Sequence, residues 1–381
     1  MVRLGTAIVE AVAWHYGPRE VLTRLSDPHW FQAFGCVLGM DWHSSGITTS
    51  VVTALKIGLN PIAHQLGLYV CGGRGAQSRR TPEELLRVAD SSGLDGAALV
   101  QASRLTAKVD NTAVQDGFQL YLHSFIVSRE GDWIVIQQGM NPALRLARRY
   151  HWLSTNLRSF VEEPHAAVIG RNQGLILNLT HRDAAPTRTA LVAMTAEPPA
   201  RMAHEAQRVL LRREHAVRAG DVDLKRLAAV LVTAHDARVN DFASLLLCRG
   251  LGPRTLQALT LVSEVIHGTP SRFEDPARFS MAHGGKDGHP FPVPIKVYDQ
   301  SIAVLKNAVR LAKLGRSDKL KALYVLDCLA RRAEAYEPAV DFEAYLNYER
   351  AISHTLRGRT AGPATDTRGL QCGVNAVLFR H

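Results

Sequence analysis

Two stretches of the chain gather groups able to handle a divalent cation. "GMDWHSSGITTS" sets Asp41 and His43 beside Ser44, Ser45, Thr48 and Thr49, and "KVDNTAVQDGFQLYLHS" sets Asp110, Gln115 and Asp116 ahead of His123. Carboxylates and imidazoles brought together at strand ends can hold Mg²⁺ or Mn²⁺. Either ion activates water and neutralises charge during phosphodiester hydrolysis. Asp41, Asp110, Asp116 and His123 are the natural ligands, and His43 and Gln138 extend the candidate catalytic set. Arg148 and Arg149 of "ARRYHWLS" would clamp a phosphate. No spacing here is that of a nuclease signature, because Gln137 and Gln138 stand where a carboxylate-x-lysine pattern wants Glu and Lys. The same polar residues would serve equally to cap helices and satisfy buried backbone.

A different chemistry is written in "SLLLCRGLGPRTLQALTLVSEVIHG", residues 244–268. A helix breaks at Gly250-Leu251-Gly252-Pro253 and restarts at once, which predicts a helix-hairpin-helix. Glycines open backbone angles closed to other residues, and Pro253 suits a first helical position. The bare amides and the positive end of the second helix form a seat for a DNA phosphate. Arg249 and Arg254 flank the turn, Thr255 follows it, and Leu256, Leu259, Val262 and Ile266 make the expected buried stripe. Such a hairpin contacts backbone and predicts sequence-independent binding. The bland alternative is an ordinary helical corner.

Two loops are weaker candidates. "VCGGRGAQSRRTPEE" carries Arg74, Arg79 and Arg80 between a strand and a helix but lacks the lysine and hydroxyl of a P-loop. "SMAHGGKDGHPFPVP" crowds His283, Lys286, Asp287 and His289 between glycines and prolines, and His283 and Lys286 join the candidate nucleic-acid contacts. A glycosylase reading would use Asp275 or Asp287 after the hairpin. Its usual lysine just past the hairpin has no counterpart here, since Arg254, Thr255 and Gln257 occupy that place.

The elements that must position these groups divide the chain. "EVLTRLSDPHWFQAFGCVLG" reads as two helices around a turn at Asp27-Pro28, "LGLYVCGGRG" as a strand running into a loop, and "TPEELLRVADSSG" as a helix opened by a capping box of Thr81 and Glu84. "FQLYLHSFIVSREGDWIVIQQG" is a hairpin, "NPALRLARRYHWLSTNL" a basic helix, and "AAVIGRNQGLILNLT" one or two strands. A Pro/Ala/Thr-rich linker, "HRDAAPTRTALVAMTAEPPARMA", then precedes an almost entirely helical half. The expected organisation is an α/β (or α+β) N-terminal domain over 1–185, an all-α C-terminal domain over 200–345 that contains the helix-hairpin-helix, and a flexible tail over 357–381.

Composition fits a globular protein of 381 residues with formal net charge +10, which favours a polyanionic partner. The five cysteines show no CxxC pair, so neither a disulfide framework nor a thiolate zinc site is expected, and a cytoplasmic location fits. No signal-peptide pattern or membrane-spanning run is seen. The expected partner is DNA, with a repair protein beside it. The reading is metal-dependent phosphodiester cleavage in DNA processing or repair, against a non-catalytic DNA-binding adaptor.

"RLSDPHWFQAFGCVLGMDWHSSGITTSVVTALK", "QDGFQLYLHSFIVSREGDWIVIQQGMN", "ARRYHWLS" and "DPARFSMAHGGKDGHPFPVP" together resemble domain-of-unknown-function family 763, over about Met1 to Ala335. The resemblance brings no reaction and no residue roles. "LLLCRGLGPRTLQAL" separately resembles helix-hairpin-helix DNA-binding motifs.

Overall fold

The computed structural model describes residues 1–41, 44–210, 224–277 and 295–334. The chain forms two compact units, Met1–Leu326 and Asp327–His381, the second described only as far as Glu334. The expected tail lies outside the described residues.

Four helices open the chain: α1 (Val2–Tyr16), α2 (Pro18–Ser26), α3 (Pro28–Val37) and α4 (Ile47–Leu59). Asp27 separates α2 from α3, and its carboxylate accepts from the amides of His29 and Trp30 at 2.7 and 3.0 Å. Pro28 then takes the first turn of α3, where no amide donor is needed. Next come α5 (Ala63–Leu66), β1 (Leu68–Arg74), α6 (Ala76–Arg79), α7 (Thr81–Ser92) and α8 (Gly96–Lys108). Strands β2 (Val114–Gln115), β3 (Gln119–Ser128), β4 (Trp133–Asn141), β5 (Leu146–Leu153), β6 (Ala167–Ile169) and β7 (Leu175–Asn178) follow. Helices α9 (Ala185–Ala196), α10 (Pro199–Leu210), α11 (Leu224–Asp236), α12 (Phe242–Leu247) and α13 (Pro253–His267) lead to β8 (Arg272–Glu274), α14 (Ile295–Leu311) and α15 (Arg316–Glu334).

One sheet has the order β1-β3-β4-β5-β6 and a second the order β2-β7-β8, with every pairing antiparallel. Antiparallel sheets beside helices make the fold α+β. Because β8 pairs with β7, the second half is not all helical.

Three local expectations are corrected. "LARRYHWL" is strand β5, not a basic helix, and all eight of its residues are buried. A strand covered on both faces loses the polar alternation that marks it in a sequence. The presumed linker is mostly helix, with Pro186 in the first turn of α9. The capping box does not form: Thr81 donates to the Ser78 carbonyl at 2.8 Å, while Glu84 accepts from the Gly72 amide at 2.7 Å and pairs with Lys56 at 2.7 Å. Lys56 also donates to the Gly72 carbonyl, and Asn60 bonds both backbone groups of Val70, so side chains close the outer edge of β1.

Side chains alternate across the large sheet. Phe125, Val135, Tyr150 and Trp152 enter one apolar cluster with Leu227, Leu245, Leu256 and Val262 of the later helices. Packing therefore shows no break at the expected 185–200 divide. The opposite face, with Arg149 and His151, meets α3 and α4.

Candidate nucleic-acid interface

Asp241 caps α12 through the Ser244 amide at 2.8 Å, and the helix stops at Leu247. Cys248 and Leu251 close the turn, the Leu251 amide donating to the Cys248 carbonyl at 3.2 Å. Gly250 has φ +91, a conformation that favours glycine. Gly252 does not: its φ of −131 and ψ of 179 are extended values open to any residue. What glycine provides there is space. An added Cβ would meet no atom nearer than Arg226 Nη2, at 3.9 Å.

The carbonyls of the turn are held from elsewhere in the fold. Arg226 Nε donates to the Gly250 carbonyl at 2.9 Å, Lys108 Nζ to that of Leu251, and Gln115 Nε2 to that of Pro253 at 2.8 Å. Among the described residues, the amides of Gly250 and Gly252 donate no hydrogen bond. Burial and the neighbouring Arg226 charge lower the Lys108 pKa. Arg249, Arg254, Lys225 and Arg226 are exposed around the turn. Thr255 is buried and packs instead of facing solvent, while Ile266 is exposed and leaves the expected stripe. Sequence reasoning missed Lys108 and Arg226 and placed Gln115 beside the metal ligands instead, because their contacts with the turn cross 143, 24 and 138 residues.

Of the expected metal ligands, Asp110, Asp116 and His123 are buried in two hydrogen-bond networks. Asp110 accepts from Gln137 Nε2 at 2.5 Å, Trp152 Nε1 at 2.9 Å and His165 Nε2 at 2.5 Å. Gln137 links it to His123, whose Nδ1 donates to Gln137 Oε1 at 2.9 Å and whose Nε2 lies 2.9 Å from Ser103 Oγ. Asp116 belongs to the second network. It accepts from Arg148 Nη1 at 2.7 Å, Tyr150 OH at 2.6 Å and the Phe118 amide at 3.0 Å. Arg148 also binds Asp275 bidentately at 2.9 and 2.7 Å, and Asp275 accepts from the amides of Gln173 and Ala277. Burial works against charge on Arg148, but Asp116 and Asp275 outweigh it and raise its pKa.

Asp41 is exposed ahead of α4. Among the described residues, no three His, Cys, Asp or Glu side chains gather as a metal site. The donors are already engaged, so Asp110, Asp116 and His123 do not fit Mg²⁺ or Mn²⁺. Arg148 and Arg149 are fully buried, so they do not present a phosphate clamp at the surface. Gln138 is buried beside Arg149 across the β4–β5 pair. Buried Asp275 is committed to Arg148, which removes it from a glycosylase role. His43, His283, Lys286, Asp287 and His289 lie outside the described residues.

Burial lowers the pKa of His123 below 6.5. The unfolded chain therefore binds the extra proton first, so stability is intact above pH 6.5 and falls as pH drops below it. Melting temperatures at pH 7.5 and 5.5 should show that loss, and His123→Gln should flatten part of it.

The sequence profile of a protein family of unknown function, DUF763, matches residues 1–293, and the chain belongs to that family. No curated protein and no solved structure matches it. Among the described residues, no helix is long and apolar enough to cross a membrane.

Proposed function

We propose that the chain binds the phosphate backbone of nucleic acid, without base recognition, through the turn between α12 and α13. One observation carries the reading: the space in front of Gly252 is open and bordered by the Arg226 guanidinium. The held carbonyls and the positive end of α13 add to it. Binding of this kind suits a non-catalytic DNA-binding adaptor. Cleavage has less support, since the carboxylates expected to hold a metal are engaged elsewhere.

Fluorescence anisotropy on duplexes of unrelated sequence should give matching affinities. About three to five phosphate contacts would make affinity fall by about 40- to 500-fold between about 50 and 200 mM salt. Affinity that varies strongly with sequence, or ignores salt, would overturn the reading.

A further inference from the structure

Arg148 and Arg149 are neighbours on β5 with opposite circumstances. Arg148 has two carboxylates; Arg149, also fully buried, has none among the described residues. Its Nε donates to His151 Nε2 at 2.7 Å, Nη1 to Gln32 Oε1 at 3.1 Å and Thr48 Oγ1 at 3.4 Å, and Nη2 to the Pro28 carbonyl at 3.4 Å. The guanidinium lies over the Phe31 ring, 4.6 Å from its centroid. Every partner is neutral. Five N–H donors meet four acceptors, two of them distant. Burial with nothing to offset it draws the Arg149 pKa down to about 9, so it remains charged at neutral pH. A buried charge without its opposite is costly, and a fold that keeps one has a use for an anion.

A second observation points the same way. Gln138, directly across from Arg149, donates to the Ser45 carbonyl at 3.0 Å, and its buried Oε1 has no partner among the described residues. Ser45 lies on the loop feeding α4, whose first turn contains Thr48 and has no side-chain cap. The Gly46 and Ile47 amides donate to Ser44 at 3.2 Å each, so the amides of Thr48 and Thr49 are the ones left at the start of α4, where Arg149 reaches the Thr48 hydroxyl. Thr49, next in sequence, bonds half-buried Tyr121, and exposed Arg74 lies over the Tyr121 ring. The start of α4 thus bonds the buried arginine through Thr48 and half-buried Tyr121 through Thr49.

We propose that Arg149, Gln138 and the start of α4 form a binding site for a phosphate monoester. Bound as its monoanion, which a single guanidinium balances, it offers anionic oxygens to the guanidinium and the helix amides, and its remaining P–OH gives Gln138 Oε1 the missing donor. The site stands apart from the hairpin and does not depend on that reading.

The test is thermal melting of the full chain in inorganic phosphate against chloride at matched ionic strength. Wild type should melt several degrees higher in phosphate. Arg149→Met should lose that shift while melting no lower in chloride, because an unbalanced charge has been replaced by an apolar chain. Gln138→Glu, should Arg149→Met fail to fold, supplies an internal anion: it should raise the melting temperature in chloride and abolish the phosphate shift. Gly252→Val should leave the shift intact. No shift in wild type, or one that survives both core substitutions, would overturn the proposal. A 5′-phosphorylated dinucleotide beside its 5′-hydroxyl form separates the sources. A larger shift than inorganic phosphate gives would assign the site to a nucleic-acid end, and an equal shift to a free small phosphate.

Discussion

Arg148→Met should destabilise the fold by about 3–5 kcal/mol, the usual cost of removing one member of a buried ionic network. The methionine fills similar space but leaves Asp116 and Asp275 without their shared cation, and their side chains are 1% and 0% exposed. Tyr150 and the backbone amides would still serve them, but no positive charge would. Arg148→Lys should recover only part of the loss, because a point charge cannot span both carboxylates as the fork does. Urea unfolding monitored by tryptophan fluorescence reads this directly. A loss below about 1 kcal/mol would show that the carboxylates take up protons at little cost. Arg149→Met provides the internal contrast, since one buried arginine is balanced and its neighbour is not.

Gly252→Val should weaken nucleic-acid binding at least tenfold, about 1.4 kcal/mol, with little change in melting temperature. Valine accepts the extended backbone found there, and among the described residues the nearest atom to its added Cβ is Arg226 Nη2, at 3.9 Å. The effect should come from blocked approach alone. Gly250→Val makes the opposite case. There φ is +91 and an added Cβ would lie 3.2 Å from Val230, so strain of about 1–2 kcal/mol should appear as lost stability. Anisotropy and melting curves on both variants separate contact from folding. Equal affinity for Gly252→Val and wild type would move the nucleic-acid surface elsewhere.

Local signals gave the elements governed by local physics. Asp27-Pro28 marks a helix boundary because capping acts over three residues, and the β3–β4 hairpin follows from a polar turn between apolar runs. β5 escaped because its two arginines read as surface, whereas tertiary cover on both faces buries them. Gly250 and Gly252 were legible as a turn. Their different reasons for being glycine were not, since one depends on φ and the other on an empty neighbourhood. The carboxylates misled for a related reason. Asp110 and Asp116 have the residue types of metal ligands, and only the placement of Gln137, Trp152, Arg148 and Tyr150 shows that they are buried hydrogen-bond acceptors.

The return of β8 to β7, with Asp275 just beyond it, bears on how this protein can be dissected. A recombinant fragment ending near residue 185 would keep Arg148 but lose one of its two counter-ions, and would expose the ladder of β7 that β8 covers. Strand exchange between fragment copies, and precipitation during expression, are the expected fate of such a piece. Limited proteolysis should accordingly release no stable N-terminal half, and any boundary chosen for expression belongs beyond residue 277.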